Sequence, residues 1–128
     1  AIVSPEHDLA ERQAVSWSDL LSFPLIACTA AFHPGLYQQV ACILRQQGLS
    51  PVVAAEARTL SGYLTRVAVG QGVGVADADH MRTLRRSDVV VLPLGEPAHF
   101  TTYVLHKHQR FGLSEPVQRF LTHVSTLM

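Results

Sequence analysis

The sequence predicts an α/β fold in which a mostly parallel sheet is flanked by helices. Short apolar runs of strand length alternate with amphipathic helical stretches, which is typical of parallel βαβ units. The run VVVLPL at 89–94 is continuous and β-branched, as expected for a buried strand. The 128 residues are 48% hydrophobic, which suffices for the core of one domain.

The first half of the chain predicts two strands, one helical turn and one helix. Residues 1–4 form a short strand, and residues 16–21 form a helical turn with Ser16 as N-cap and Asp19 at the third position. The apolar run 25–29 is a strand. After a loop at Pro34 and Gly35, the following helix starts at Leu36, carries apolar residues at 36, 40, 43 and 44, and ends near Gly48.

The second half continues the alternation. A strand over 51–57 precedes a helix that is capped by Thr59 or Ser61 and stops at Gly70. The remaining predicted elements are a small-residue strand at 73–76, helical turns over 77–84, strands at 89–94 and 100–107, and a last helix that Ser114 caps.

Charge and length exclude several classes of function. Ten basic and ten acidic side chains give a formal net charge of zero, so bulk electrostatics does not favour binding to nucleic acid or anionic lipid. No apolar run approaches the roughly 18 residues of a membrane span, and the opening lacks the basic segment of a signal peptide.

The two cysteines indicate a reduced, cytoplasmic protein. Cys28 and Cys42 form no CxxC motif and are too few for a disulfide framework. The favoured interpretation is two small buried apolar residues. A redox pair is the alternative.

Three sequence clusters resemble ligand-binding motifs but are better explained by structural roles. GQGVG at 70–74 follows a helix and precedes a strand, the reverse of a dinucleotide fingerprint, so it predicts a helix cap and a tight turn. His106 and His108 lack further ligands at zinc spacing, and a solvated strand end is favoured. Asp77, Asp79 and His80 fail the EF-hand spacing and predict a helix cap. We therefore expect no metal and no cofactor.

One edge of the predicted sheet is the candidate binding site. The segment 29–35 joins the carboxyl end of a strand to a helix N-terminus, where free N–H groups favour an anion. Thr29 adds a hydroxyl, His33 a possible cation, and Ala30 and Gly35 permit close approach to the backbone. Two further strand ends lie at the same edge, which completes a rim formed by residues 29–35, Thr59, Ala76 and Asp77.

The order and spacing of several segments resemble the C-terminal half of the effector-binding domain of LysR-type transcriptional regulators. The opening VSPEHDLAERQAVSWSDLLSFPLI is similar to the family's strand, H-P-L-A turn and following segment, with Asp8 where proline is usual. The stretch 35–75, VVVLPLGEP and SEPVQRFLTHV are similar to later family segments. The sequence VADA at 75–78 departs from the family's common a-l-l-P.

The resemblance implies the fold and the organisation of the chain. Such a domain is similar to a type 2 periplasmic binding protein, with two lobes and an effector in the cleft between them. Here residues 5–99 would form the second, three-layered lobe, 1–4 and 100–107 the crossover strands, and 114–127 the closing helix of the first lobe. We expect exposed apolar surface on the first and last strands and on that helix.

The resemblance also implies function and partners. The rim faces the cleft, and a small, anionic effector would bind Thr29, Ala30, His33 and Gly35, with Thr59, Ala76 and Asp77 giving specificity. A homodimer or tetramer would bind DNA through an N-terminal winged helix-turn-helix outside these residues. The peroxide-sensing branch has its cysteines near the positions of Gly35 and Leu44, which Cys28 and Cys42 do not match.

Two interpretations from other classes remain beside the sensor. A small α/β enzyme would use His33, Asp77 or His80 as acid–base groups, although nothing in the sequence orients such a pair. A stand-alone dimerisation module would pair through a helix and a strand.

Overall fold

A computed structural model describes residues 1–95 and 112–127 and confirms the α/β class. The elements are β1 (Ile2–Val3), α1 (Trp17–Leu21), β2 (Leu25–Cys28), α2 (Pro34–Gln46), β3 (Val53–Ala57), α3 (Leu60–Ala68), α4 (Ala78–Leu84), β4 (Val90–Val91) and α5 (Glu115–Leu127). Their order follows the predicted one. The predicted strand at 100–107 lies outside the described residues, as do His106 and His108.

The strands connect into one continuous sheet through a glycine-flanked segment. β2 pairs in parallel with β3, and β1 pairs antiparallel with β4. Val73 bridges β2 in parallel at Leu25, and Gly74 bridges β1 at Ile2. The spatial order is therefore β3, β2, the segment at Val73 and Gly74, β1 and β4.

Two predicted strands are shorter than their sequence patterns suggested. The run 73–76 makes only isolated bridges, and β4 covers two residues of the predicted 89–94. A ladder extends only as far as its partner, and β1 itself has two residues. Leu94 instead bridges Val15 outside the named strands.

The core lies on both faces of the sheet, as the three-layered fold requires. One cluster contains Trp17 and Leu20 of α1 with Leu36 and Leu44 of α2. The second cluster lies beneath α3 and α4 and includes Ile2, Ile26, Leu64, Val67 and Met81. Val3 belongs to the first cluster and Ile2 to the second, because successive residues of a strand point to opposite faces.

Local capping signals locate most helix starts. Ser16 and Asp19 form the predicted capping box, with Asp19 N–H donating to Ser16 Oγ at 3.0 Å and Ser16 N–H donating to Asp19 Oδ2 at 3.1 Å. Thr59 rather than Ser61 caps α3. α2 begins at Pro34, earlier than predicted, because proline is preorganised for the first helical turn.

The glycine-rich turn is confirmed, and two of its glycines are required by close approach. Gly70 follows α3 with a φ of +75°. A Cβ at Gly72 would lie 2.5 Å from the carbonyl oxygen of Pro24, and one at Gly74 would lie 2.7 Å from the hydroxyl of Tyr63. A side chain at either position would therefore force the neighbouring atoms to move.

The solvent exposure of the side chains confirms one prediction about burial and corrects two others. α5 has no buried residue, and Phe120 is 55% exposed, as expected for the closing helix. The first strand was expected to expose apolar surface, but Ile2 and Val3 are fully buried between the two clusters. Cys42 was expected to be buried, but it lies on the solvent side of α2, whereas Cys28 is buried. Within the described residues, no helix is long and apolar enough to cross a membrane.

Candidate functional site

The structure brings the rim loops to one edge of the sheet. β2 and β3 end in register at Cys28 and Ala57, and the N–H of Thr29 donates to the carbonyl of Ala57 at 3.2 Å. The segments that follow, at Thr29 and Thr59, therefore leave the sheet side by side. Val73 and Leu25 are bridged in parallel. Asp77 follows Val73 by the same number of residues as Thr29 follows Leu25, so Asp77 lies at the same edge as Thr29.

Thr29 holds the loop closed through its backbone and leaves its side chain without a partner. Its carbonyl oxygen accepts hydrogen bonds from the N–H groups of Phe32 and His33, at 3.0 and 3.1 Å. Its Oγ1 atom is buried and has no hydrogen-bond partner among the described residues. A buried unsatisfied hydroxyl costs about 1–3 kcal/mol, so a movement of the loop that opens this atom to an external polar group would recover that free energy.

His33 caps α2 through its ring. Its Nδ1 accepts a hydrogen bond from the N–H of Leu36 at 3.1 Å. Nε2 of the exposed ring is left to donate a hydrogen bond at the rim. The expected role of His33 as a cation stays a prediction.

Ala30 and Gly35 leave the backbone of the rim accessible. Both residues are exposed. A Cβ at Gly35 would meet only ring atoms of His33, at 3.9 Å, which is ordinary van der Waals contact. The fold itself therefore does not require glycine at the first turn of α2.

Thr59 and Asp77 use their side chains as helix caps. Thr59 Oγ1 accepts a hydrogen bond from the N–H of Gly62 at 3.1 Å, and Asp77 Oδ1 accepts one from the N–H of His80 at 2.9 Å. Ala76, beside Asp77, is half-buried. A capping carboxylate keeps a free acceptor, so Asp77 suits a ligand hydroxyl or N–H group better than an anion.

The remaining features of the edge favour negative charge in a ligand near β2 and β3. The N-terminus of the 13-residue α2 adjoins Thr29, and that of α3 adjoins Thr59. Arg58, exposed at the end of β3, forms no ion pair with another described residue. By contrast, Asp79 pairs with Arg82 on the outside of α4.

No acid–base pair is assembled from the three predicted candidates. Asp77 contacts the backbone of His80 rather than its ring, and His33 uses Nδ1 for the cap. In the part of the chain that the structure describes, no cluster of three or more His, Cys, Asp or Glu side chains could hold a metal ion.

Tyr63 supports the site and was missed by the sequence reasoning. Its hydroxyl accepts a hydrogen bond from the N–H of Val75 at 2.7 Å and lies 2.8 Å from the carbonyl oxygen of the same residue. Burial raises the pKa of this phenol, so it stays protonated. The bonds tie α3 to the segment that leads to Asp77. No sequence pattern marks an aromatic residue for such a contact.

The whole chain matches a known family. Residues 1–128 match the model of the LysR substrate binding domain. The chain belongs to this family.

Individual relatives agree with the family assignment. The HTH-type transcriptional regulator CysB of Burkholderia cenocepacia is 34% identical over 95 residues, which are 74% of this chain and 30% of that protein. The chain therefore spans less than a third of that relative's length.

Solved structures of LysR-type proteins share the fold. The effector binding domain of QuiR in complex with shikimate aligns with a TM-score of 0.63 and 18% identity, covering 77% of this chain and 45% of that one. HinK, a LysR family transcriptional regulator from Pseudomonas aeruginosa, aligns with a TM-score of 0.71 and 20% identity, covering 94% of this chain and 42% of that one.

Proposed function

We propose that the chain is part of the small-molecule effector-sensing domain of a LysR-type DNA-binding transcriptional regulator, without catalytic activity. The observation that carries the proposal is the buried hydroxyl of Thr29, which lacks a partner among the described residues at the edge where two helix N-termini begin. The family membership and the shikimate bound to QuiR support a small-molecule ligand.

The chemistry of the rim favours an anionic effector that also carries a hydrogen-bond donor. Its negative group would accept hydrogen bonds from Thr29 Oγ1, His33 Nε2 and backbone N–H groups near Gly35. Ala30 and Gly35 would let that group approach the backbone. A hydroxyl or N–H of the same ligand would donate to Asp77, while Thr59 and Ala76 would bound the pocket and set specificity.

Sensing would proceed by a shift in population between two arrangements. In the organisation proposed from the sequence, residues 5–99 would form the second lobe, 1–4 a crossover strand, and 114–127 would close the first lobe. The other proposed crossover strand, at 100–107, lies outside the described residues. The effector would bind in the cleft between lobes and stabilise the closed arrangement by its additional contacts there. The difference in affinity for the two arrangements limits how far the equilibrium can move.

The remaining assignments follow from the same proposal. The regulator would act in the cytoplasm as a homodimer or tetramer. It would contact DNA through an N-terminal winged helix-turn-helix. The 128 residues themselves are not expected to bind DNA, because their formal net charge is zero.

A ligand screen on the protein as its gene encodes it tests the proposal. Thermal unfolding is followed with shikimate, inorganic sulfate and a panel of small carboxylates, with uncharged amides of the same carboxylates as matched controls. We expect saturable stabilisation by a carboxylate but not by its amide, about 2.7 kcal/mol at a hundredfold excess over Kd. A bound structure must then place the anion beside Thr29. Binding elsewhere, or chemical conversion of the ligand, would contradict the proposal.

A further inference from the structure

A cavity lies between α2 and the sheet. It has a volume of about 190 Å³ and separates α2 from β2 and β3. Two of its lining residues are small, Ala27 on β2 and Ala41 on α2, and their short side chains leave the space unfilled. Larger side chains enclose it, among them Leu36, Val40 and Leu44.

The cavity extends from the protein surface into the core. At its inner end lie Ile26 and Tyr63, which are 1% and 3% exposed. At its outer end lie Tyr37 and Val53, which are 47% and 48% exposed. A small molecule can therefore enter from solvent without unfolding either wall.

The wall of the cavity is almost entirely hydrocarbon. None of its lining residues carries a charge. The hydroxyl of Tyr63 is already bonded to Val75, and Cys28 Sγ lies 3.9 Å from the carbonyl oxygen of Thr29. Burial also raises the pKa of the Cys28 thiol, which keeps it neutral. An anion would thus lose its hydration without gaining a partner.

We propose that this cavity is a binding site for a small, uncharged, apolar molecule of about the size of one aromatic ring. An apolar cavity of roughly 150 Å³ engineered into another protein stays dry and binds benzene, so the present volume accommodates a ring with one added methyl group. The site does not depend on the effector proposal. It nevertheless adjoins the rim, because α2 forms one wall and is capped by His33.

Toluene is the probe, and a matched pair of variants on α2 locates its binding. In Ala41→Leu the added side chain fills the cavity, whereas Cys42→Leu adds a leucine at the exposed neighbouring position. We expect toluene to raise the Tm of the wild-type protein and of Cys42→Leu saturably, and to leave Ala41→Leu unchanged. The protein is used as its gene encodes it.

A second measurement keeps the test independent of how the variants fold. Nuclear Overhauser effects from toluene to the methyl groups of Leu36 and Leu44 are expected in the wild-type protein. Absence of both the Tm shift and these effects would overturn the proposal. So would an undiminished shift in a folded Ala41→Leu.

Discussion

At the scale of single residues, Tyr63 shows how one hydroxyl joins two elements. It satisfies both backbone groups of Val75, at 2.7 and 2.8 Å. We expect Tyr63→Phe to lower the free energy of unfolding by about 1–3 kcal/mol, because buried N–H and C=O groups lose their partner. Urea denaturation measures this loss. Tyr37→Phe, at an exposed ring, is the control, and equal small effects in both variants would refute the role of the hydroxyl.

Asp19 should contribute a pH-dependent share of stability. The hydrogen bond from the Ser16 backbone, followed by that from its hydroxyl, lowers the pKa of this carboxyl group below its usual value. A lowered folded-state pKa stabilises the fold above the unfolded-state pKa, and this contribution disappears as the pH falls through the folded-state value.

The test of this pH dependence compares two carboxylate removals. Asp19→Asn is expected to flatten the acid side of a curve of unfolding free energy against pH. Asp8→Asn, at an exposed turn residue, should leave that curve parallel to the wild-type curve. An unchanged acid side in Asp19→Asn would contradict the assignment.

Single residues were predictable where their role is local. The caps at Ser16, Thr59 and Asp77 depend on hydrogen bonds that span only three residues, so the sequence contains all the partners. The capping role of His33 depends on the early start of α2 at Pro34. The contact between Tyr63 and Val75 depends on packing across the sheet, which no local pattern encodes.

At the scale of elements, Gly72 is the tightest point between the glycine-rich turn and β2. We expect Gly72→Ala to destabilise the fold by about 1–3 kcal/mol, because its Cβ would lie 2.5 Å from the Pro24 carbonyl oxygen and 3.1 Å from Ile26 Cδ1. Gly35→Ala is the matched control, since its Cβ meets nothing closer than 3.9 Å. Thermal unfolding of both variants tests this, and equal melting temperatures would contradict the packing account.

Helices were predicted better than strands for a physical reason. The apolar stripes of α2 and α3 mark the faces that contact the sheet, and Leu36, Leu44, Leu64 and Val67 are buried as expected. A strand exists only where a neighbour supplies hydrogen bonds. The β-branched run at 89–94 therefore signals burial of Val89 and Leu92 but not the length of β4.

At the scale of the whole molecule, α5 presents apolar side chains without a buried face. Phe120 and Leu127 are 55% and 73% exposed. We expect the isolated 128-residue chain to self-associate, and Phe120→Ser to reduce the association because it removes apolar area. Sedimentation velocity over a range of concentrations measures both. Val69→Ser, at the 66% exposed residue that follows α3, is the control. A monodisperse wild-type monomer would contradict this expectation.

The order of elements and the edge that carries the rim were predictable at this scale, since both follow from parallel βαβ alternation. The family resemblance was also readable, because it rests on segments in a fixed order that span nearly the whole chain. The cavity beneath α2 was not predictable. It depends on two small residues, Ala27 and Ala41, that line the same space from different elements, and no local sequence pattern reveals this.

The central claim is that Thr29 binds the charged group of an effector. Isothermal titration of the tightest carboxylate from the screen, into wild-type protein and Thr29→Val, tests it most directly, with Thr65→Val at an exposed position of α3 as control. We expect Thr29→Val to weaken Kd by about 10- to 150-fold, the equivalent of one hydrogen bond to a charged group. The melting temperature of Thr29→Val should equal that of the wild-type protein, since Oγ1 has no partner among the described residues. An unchanged Kd in folded Thr29→Val would contradict the claim.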